Sequence, residues 1–191
     1  MKIYYITHPK VIVDSKLDSA EWRISEDGYK QIETLLKERW ISDVEKIYTS
    51  DERKTRDMAE ILSERLGVQK KIIKGLGGAD RNSGKTGFLS REDFQKAAED
   101  FYKFPNKSVL NAWDTAKSVQ RRNIDEIKKL ISENTNSKNI AVIGHGDAGT
   151  LLMCYFLSEP ISKKYDQSQL GSYFVYDTEE RKIIQNWKPI I

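Results

Sequence analysis

The chain has 191 residues, 38% hydrophobic and 32% charged, which is enough apolar material for one domain core beneath a heavily solvated surface. Thirty-two Lys and Arg against 29 Asp and Glu leave a net charge of only +3, unlike the large basic surplus of a dedicated nucleic-acid binder. The single cysteine, Cys154, excludes an internal disulfide framework and a cysteine-based zinc site, and no apolar run approaches the roughly 20 residues of a membrane helix.

The first apolar run, residues 3–6, stops at His8-Pro9 and reads as a short buried strand. It ends too early for a signal-peptide core, so a soluble, cytoplasmic protein is expected. From residue 25 to 40, Tyr29, Ile32, Leu35, Leu36 and Trp40 recur at helical steps and predict one amphipathic helix. Residues 44–49 predict a second strand. Ser50 or Asp51 would then cap a helix that buries Met58, Ile61, Leu62 and Leu66 and stops at Gly67. A short third strand is expected at 71–74, then an irregular loop to Gly87 that holds five of the eleven glycines. Ser90 opens a helix burying Phe94, Ala97, Ala98 and Phe101, and a longer helix is expected from about residue 111, with Trp113 and Ala116 in phase. Residues 140–143 form another apolar strand, ending at Gly144-His145-Gly146 and followed by a helix through Leu157. The alternating runs 173–176 and 182–187 predict an antiparallel hairpin. These elements predict an α/β three-layer sandwich: a mostly parallel central sheet, helices on both faces and the C-terminal hairpin at one edge. A single domain over residues 1–191 is expected, with a small helical lid from about 75 to 135.

Only two histidines occur, and each follows the end of an apolar strand. A lone histidine there is usually a cap or a solvated surface residue. Two in equivalent positions are different, because parallel strands would bring both to the carboxyl edge of the sheet, where ligands of open α/β folds bind. Ser50-Asp51-Glu52-Arg53-Lys54 follows the second strand at the same level, combining helix N-terminal amides with cations, a natural seat for an anion. Imidazoles and cations at one edge point to phosphate chemistry.

On these residues the chain resembles the histidine phosphatase superfamily, the phosphoglycerate mutase-like fold. Thr7-His8-Pro9 stands where that family has Arg-His-Gly, in what resembles a divergent branch. Residues 49–60 are similar to its Ser-Ser-Pro-x-x-Arg helix opening, residues 24–31 to its Leu-Ser-Glu-x-Gly-x-x-Gln segment, and Val142-Ile143-Gly144-His145-Gly146-Asp147 to its second histidine motif. The resemblance implies a metal-independent phosphatase without a cofactor. His8 would attack phosphorus to form a phosphohistidine, His145 would stabilise charge, and Thr7, Arg53, Lys54 and Arg81 would contact phosphate. A phosphomonoester or a protein phosphohistidine is the expected substrate, so the partner is a phosphorylated small molecule or phosphoprotein, with neither nucleic acid nor membrane.

Three departures carry weight. Thr7 lacks the arginine's charge and bidentate fork, Pro9 has no backbone N–H, and Lys54 supplies charge without a fork. Position 78, where the resemblance implies a glutamate acid, is glycine, which leaves Asp80 as the nearest carboxylate. Low or altered activity is therefore expected, and the rival reading is a non-catalytic phosphate- or phosphoprotein-binding module on the same fold. A nucleotide-binding loop at Gly84-Lys85-Thr86 fits poorly, because five residues rather than four separate Gly78 from Gly84.

Overall fold

The structure is a computed structural model that describes residues 1–81 and 87–191. The Gly84-Lys85-Thr86 tripeptide lies outside the described residues. Six strands form one sheet in the order β3-β2-β4-β1-β5-β6. They are β1 (Lys2–Thr7), β2 (Val44–Thr49), β3 (Gln69–Ile72), β4 (Asn139–Gly144), β5 (Ser172–Asp177) and β6 (Lys182–Pro189). The first four run parallel, and β5 and β6 return antiparallel at one edge as the expected hairpin.

Alternation along each strand divides the core in two. Tyr4 and Ile6 of β1 face one layer with Ile47, Ala141 and Ile143. That layer packs beneath α1 (Glu26–Leu35) and α2 (Arg53–Leu66), which contribute Ile32, Leu35, Met58 and Leu62. Ile3 and Tyr5 face the opposite layer with Ile140 and Val142, under α4 (Ala116–Glu133) and α5 (Gly146–Phe156). Ser25 caps α1 by accepting from the Gly28 amide, and α2 ends at Gly67 in the left-handed conformation, φ 67°. The remaining helix, α3 (Arg91–Lys103), buries Ala97 and Phe101 against Trp113, Ala116 and Leu151.

Several expectations shift. Helix α1 stops at Leu35, and Trp40 is held by stacking on Tyr4 at 3.9 Å between ring centroids. Trp113 precedes its expected helix, because Thr115 caps α4 by accepting from the Ser118 amide. Phe94 stays exposed on α3. Strand β3 lies two residues earlier than the apolar pair Ile72-Ile73 suggests. No helix among the described residues is long and apolar enough to cross a membrane.

Candidate active site

Strands β1 and β4 are parallel neighbours with Thr7 opposite Gly144, so the residues that follow emerge side by side at the carboxyl edge. The rings of His8 and His145 lie 5.6 Å apart, edge to face. Strand β2 flanks β4 on its other side and delivers Ser50, Glu52 and Lys54 to the same edge.

His8 is fixed by its own neighbour. Its Nδ1 lies 2.9 Å from the Pro9 carbonyl oxygen, which can only accept, so Nδ1 carries the hydrogen and Nε2 keeps its lone pair. Burial pushes the His8 pKa down to about 3, with the charges of His145 and Lys54 acting in the same direction. The ring is therefore neutral at ordinary pH. His145 is held through its backbone: its N–H donates to the Tyr5 hydroxyl, which donates in turn to the His145 carbonyl, each at 3.1 Å. Gly144 is required beside it, because the Tyr5 ring fills the space that a Cβ would take. The His145 Nε2 lies 2.8 Å from the Ser50 hydroxyl, itself 2.7 Å from that of Thr55. Burial also lowers the His145 pKa, against the opposing pull of Asp147.

Lys54 is only 4% exposed. Its ammonium donates to the Ser19 carbonyl at 2.8 Å and pairs with the Glu52 carboxylate. The other Glu52 oxygen sits 3.6 Å from His145 Nε2. A carboxylate thus bridges the lysine and the imidazole, the arrangement a phosphoryl group would need. Two residues after His145, Asp147 accepts from the amides of Ala79 at 2.9 Å and Ala148 at 2.8 Å. Arg81 lies 3.6 Å from it and stacks over Phe94 and Trp113. Burial acts to raise the Asp147 pKa, but Arg81, His145 and the two amides together hold it below the usual carboxylate range.

The structure therefore brings together His8, His145, Lys54 and, through Asp147, Arg81. It does not bring the other candidates to the imidazoles. Thr7 is fully buried, donating to the Gln167 side-chain oxygen at 2.6 Å and accepting from the Ser172 amide at 3.0 Å. Arg53 reaches along the α2 surface to Asp57 at 3.6 Å. Asp80 is exposed, and its backbone pairs with Asp114, its N–H donating to the carboxylate at 3.3 Å and its carbonyl accepting from the Asp114 amide at 2.8 Å.

Tyr5 and Arg122 had no functional role in the sequence reading, and Ser50, Glu52 and Asp147 entered it only as members of the anion-seat segment and the second histidine motif. Arg122 of α4 binds the carbonyls of Gly75, Gly77 and Gly78 at 2.9–3.0 Å, and the neighbouring Asn123 side-chain amide also donates to Gly77. Only the cluster of glycines hinted that this turn is held from outside, since it offers carbonyls and no side chains.

A family model described as histidine phosphatase superfamily (branch 1) matches residues 14–188. No curated protein matches the sequence. Among solved structures, a mycobacterial glucosyl-3-phosphoglycerate phosphatase in complex with VO3 superposes with a TM-score of 0.73 at 15% identity, covering 98% of this chain and 96% of that one. The Bacillus stearothermophilus protein YhfR gives 0.75 at 16% identity, covering 98% and 96%. An alpha-ribazole phosphatase from Shigella flexneri gives 0.72 at 13% identity, covering 98% and 95%. At these identities the likeness is one of fold.

Proposed function

Because the chain belongs to the histidine phosphatase superfamily, we propose that it is a phosphatase that hydrolyses a phosphomonoester through a phosphohistidine on His8. The observation that carries this reading is the His8 ring: neutral, buried, and oriented by Pro9 so that Nε2 presents its lone pair at the sheet edge. Nε2 attacks phosphorus, and the non-bridging oxygens take the places between Lys54 and His145 now bridged by Glu52. Charge stabilisation comes from protein cations and imidazole, so the mechanism calls for neither metal nor cofactor. Thr7 adds no charge, which predicts slower chemistry than an arginine fork would give. The named phosphatases of the same fold take small phosphorylated compounds by their titles, which favours a small-molecule phosphomonoester over protein phosphohistidine. A cytoplasmic setting suits such a substrate.

A second reading, a phosphate-binding module without turnover, is favoured by the Glu52 carboxylate lying against Lys54 and His145. One experiment separates the two: hydrolysis of an aryl phosphate from about pH 5 to 8, wild type against His8→Ala. The phosphatase reading expects turnover that falls by at least a hundredfold in the variant, on the order of the loss of a nucleophile. Phosphate binding that depends on His8 and Lys54, without turnover, supports the module. Equal turnover in both proteins overturns the His8 mechanism.

A further inference from the structure

The leaving oxygen of a phosphomonoester departs as an alcohol only if a proton reaches it, so an acid must lie beside the phosphoryl site. Among the described residues, two carboxylates stand by His145: Glu52, 3.6 Å from its Nε2, and Asp147, whose charge acts on the same imidazole. Glu52 is bound to Lys54 and stands where phosphoryl oxygens would bind, so an arriving phosphoryl group displaces it. Asp147 is held by the Ala79 and Ala148 amides and by Arg81, nearly buried, with its side chain 12% exposed.

The geometry at Gly78 shows how Asp147 comes to be there. A Cβ on Gly78 would lie 2.7 and 3.1 Å from the two Asp147 carboxylate oxygens and 3.1 Å from the His145 Cβ. The room beside His145 that a side chain at position 78 would enter is thus filled by the carboxylate reaching in from α5. The same turn gives Asp147 the Ala79 amide, one residue further on. A missing side chain on one segment and a carboxylate on another occupy one volume.

From this we infer that Asp147 is the acid–base residue of the reaction, a carboxyl supplied from α5 at the spot that position 78 leaves open. The assignment rests on the phosphatase reading above. Asp147 is ionised in the site as it stands, and the proton comes with the substrate: a phosphomonoester monoanion transfers its phosphoryl proton to Asp147 as its oxygens draw Arg81. His8 Nε2 then forms the N–P bond while the P–O ester bond breaks. That electron pair goes to the leaving oxygen, which takes the Asp147 proton and departs as the alcohol. Water next attacks the phosphohistidine, giving one proton to the Asp147 carboxylate. The P–N bond breaks with its electrons returning to Nε2, and phosphate leaves with the proton held by Asp147.

The test uses leaving groups of different basicity. Nitrophenol departs readily unprotonated, whereas an alkyl alcohol does not. For Asp147→Asn, the first-turnover burst of nitrophenol from p-nitrophenyl phosphate is expected within tenfold of wild type. Turnover of an alkyl phosphate is expected to fall on the order of a hundredfold or more. The double variant Asp147→Gly with Gly78→Glu returns a carboxylate to the same volume from the other segment, and is expected to recover much of the alkyl phosphate activity that Asp147→Gly loses. Equal losses on both substrates, or no loss on the alkyl phosphate, overturn the assignment while His8-dependent turnover keeps the phosphatase reading standing. A wild type without a His8-dependent burst overturns both.

Discussion

Lys54 and Glu52 form a buried ion pair beside His145, and the pairing has a physical reason. An ammonium taken out of water needs a counter-charge, and Glu52, which makes no capping hydrogen bond at the start of α2, is the carboxylate within reach. The same carboxylate competes with any oxyanion for the lysine and the imidazole. Glu52→Gln removes the competing charge while keeping the side-chain shape. Inorganic phosphate, measured as a competitive inhibitor or by calorimetry, is expected to bind the variant about tenfold more tightly, or about 1.4 kcal/mol. Unchanged or weaker binding would show that phosphate does not enter between Lys54 and His145. Thr7 is the converse case at this scale: its hydroxyl bridges the 167–172 segment to β1, so its service is to hold that segment.

At the scale of elements, the glycine turn 75–78 depends on α4. Its carbonyls converge on one guanidinium, and the turn then presents the Ala79 amide to Asp147. Charged hydrogen bonds to backbone carbonyls contribute about 1.5–3 kcal/mol each, with partial replacement by water or Asn123 after truncation. Arg122→Ala is expected to lower unfolding stability by about 2–3 kcal/mol in denaturant titration, with phosphatase turnover falling further than the substrate KM changes. A variant with wild-type stability and turnover would mean that the turn holds itself. None of this was visible along the chain, because Gly78 and Arg122 meet across 44 residues and a carbonyl leaves no mark on composition. Asp147 stands in the second histidine motif, but its contact with Ala79 spans 68 residues and left no sign in the sequence for the same reason. The two histidines were legible, since strand ends are visible in sequence and parallel pairing then fixes where they emerge. The helix boundaries that slipped, at Leu35 and Ala116, did so at tryptophans whose burial comes from ring stacking and the α3 packing cluster rather than from helical phase.

Over the whole molecule, the sheet was legible because central strands buried on both faces read as continuous apolar runs. The edge strand β3 was read two residues late, since its half-buried Lys70 and exposed Lys71 carry no core pattern and the apolar pair Ile72-Ile73 drew the expected strand toward itself. Burying two neutral imidazoles at the end of that sheet makes stability depend on pH. The His8 pKa falls from the ordinary 6.5 to about 3 on folding, and His145 shifts in the same direction. Between these values the unfolded chain binds more protons than the folded one, so stability rises with pH through this range. It is therefore complete above pH 6.5 and lost as pH falls toward 3, at up to about 1.4 kcal/mol per pH unit for each histidine. Asp147 adds to the loss only at lower pH, near the carboxylate range, whereas Asp166, raised chiefly by burial, opposes it. The melting temperature is expected to be level from pH 8 to 7 and to decline from 6.5 to 4.5, by about 2 kcal/mol of stability per histidine. His8→Gln keeps a polar side chain without a titrating ring, and is expected to remove about half of that decline. An unchanged slope in the variant would mean that His8 takes up its proton in the folded protein as freely as in the unfolded chain. The claim that burial keeps His8 neutral well below pH 6.5 would then fail on stability data alone, without an identified substrate.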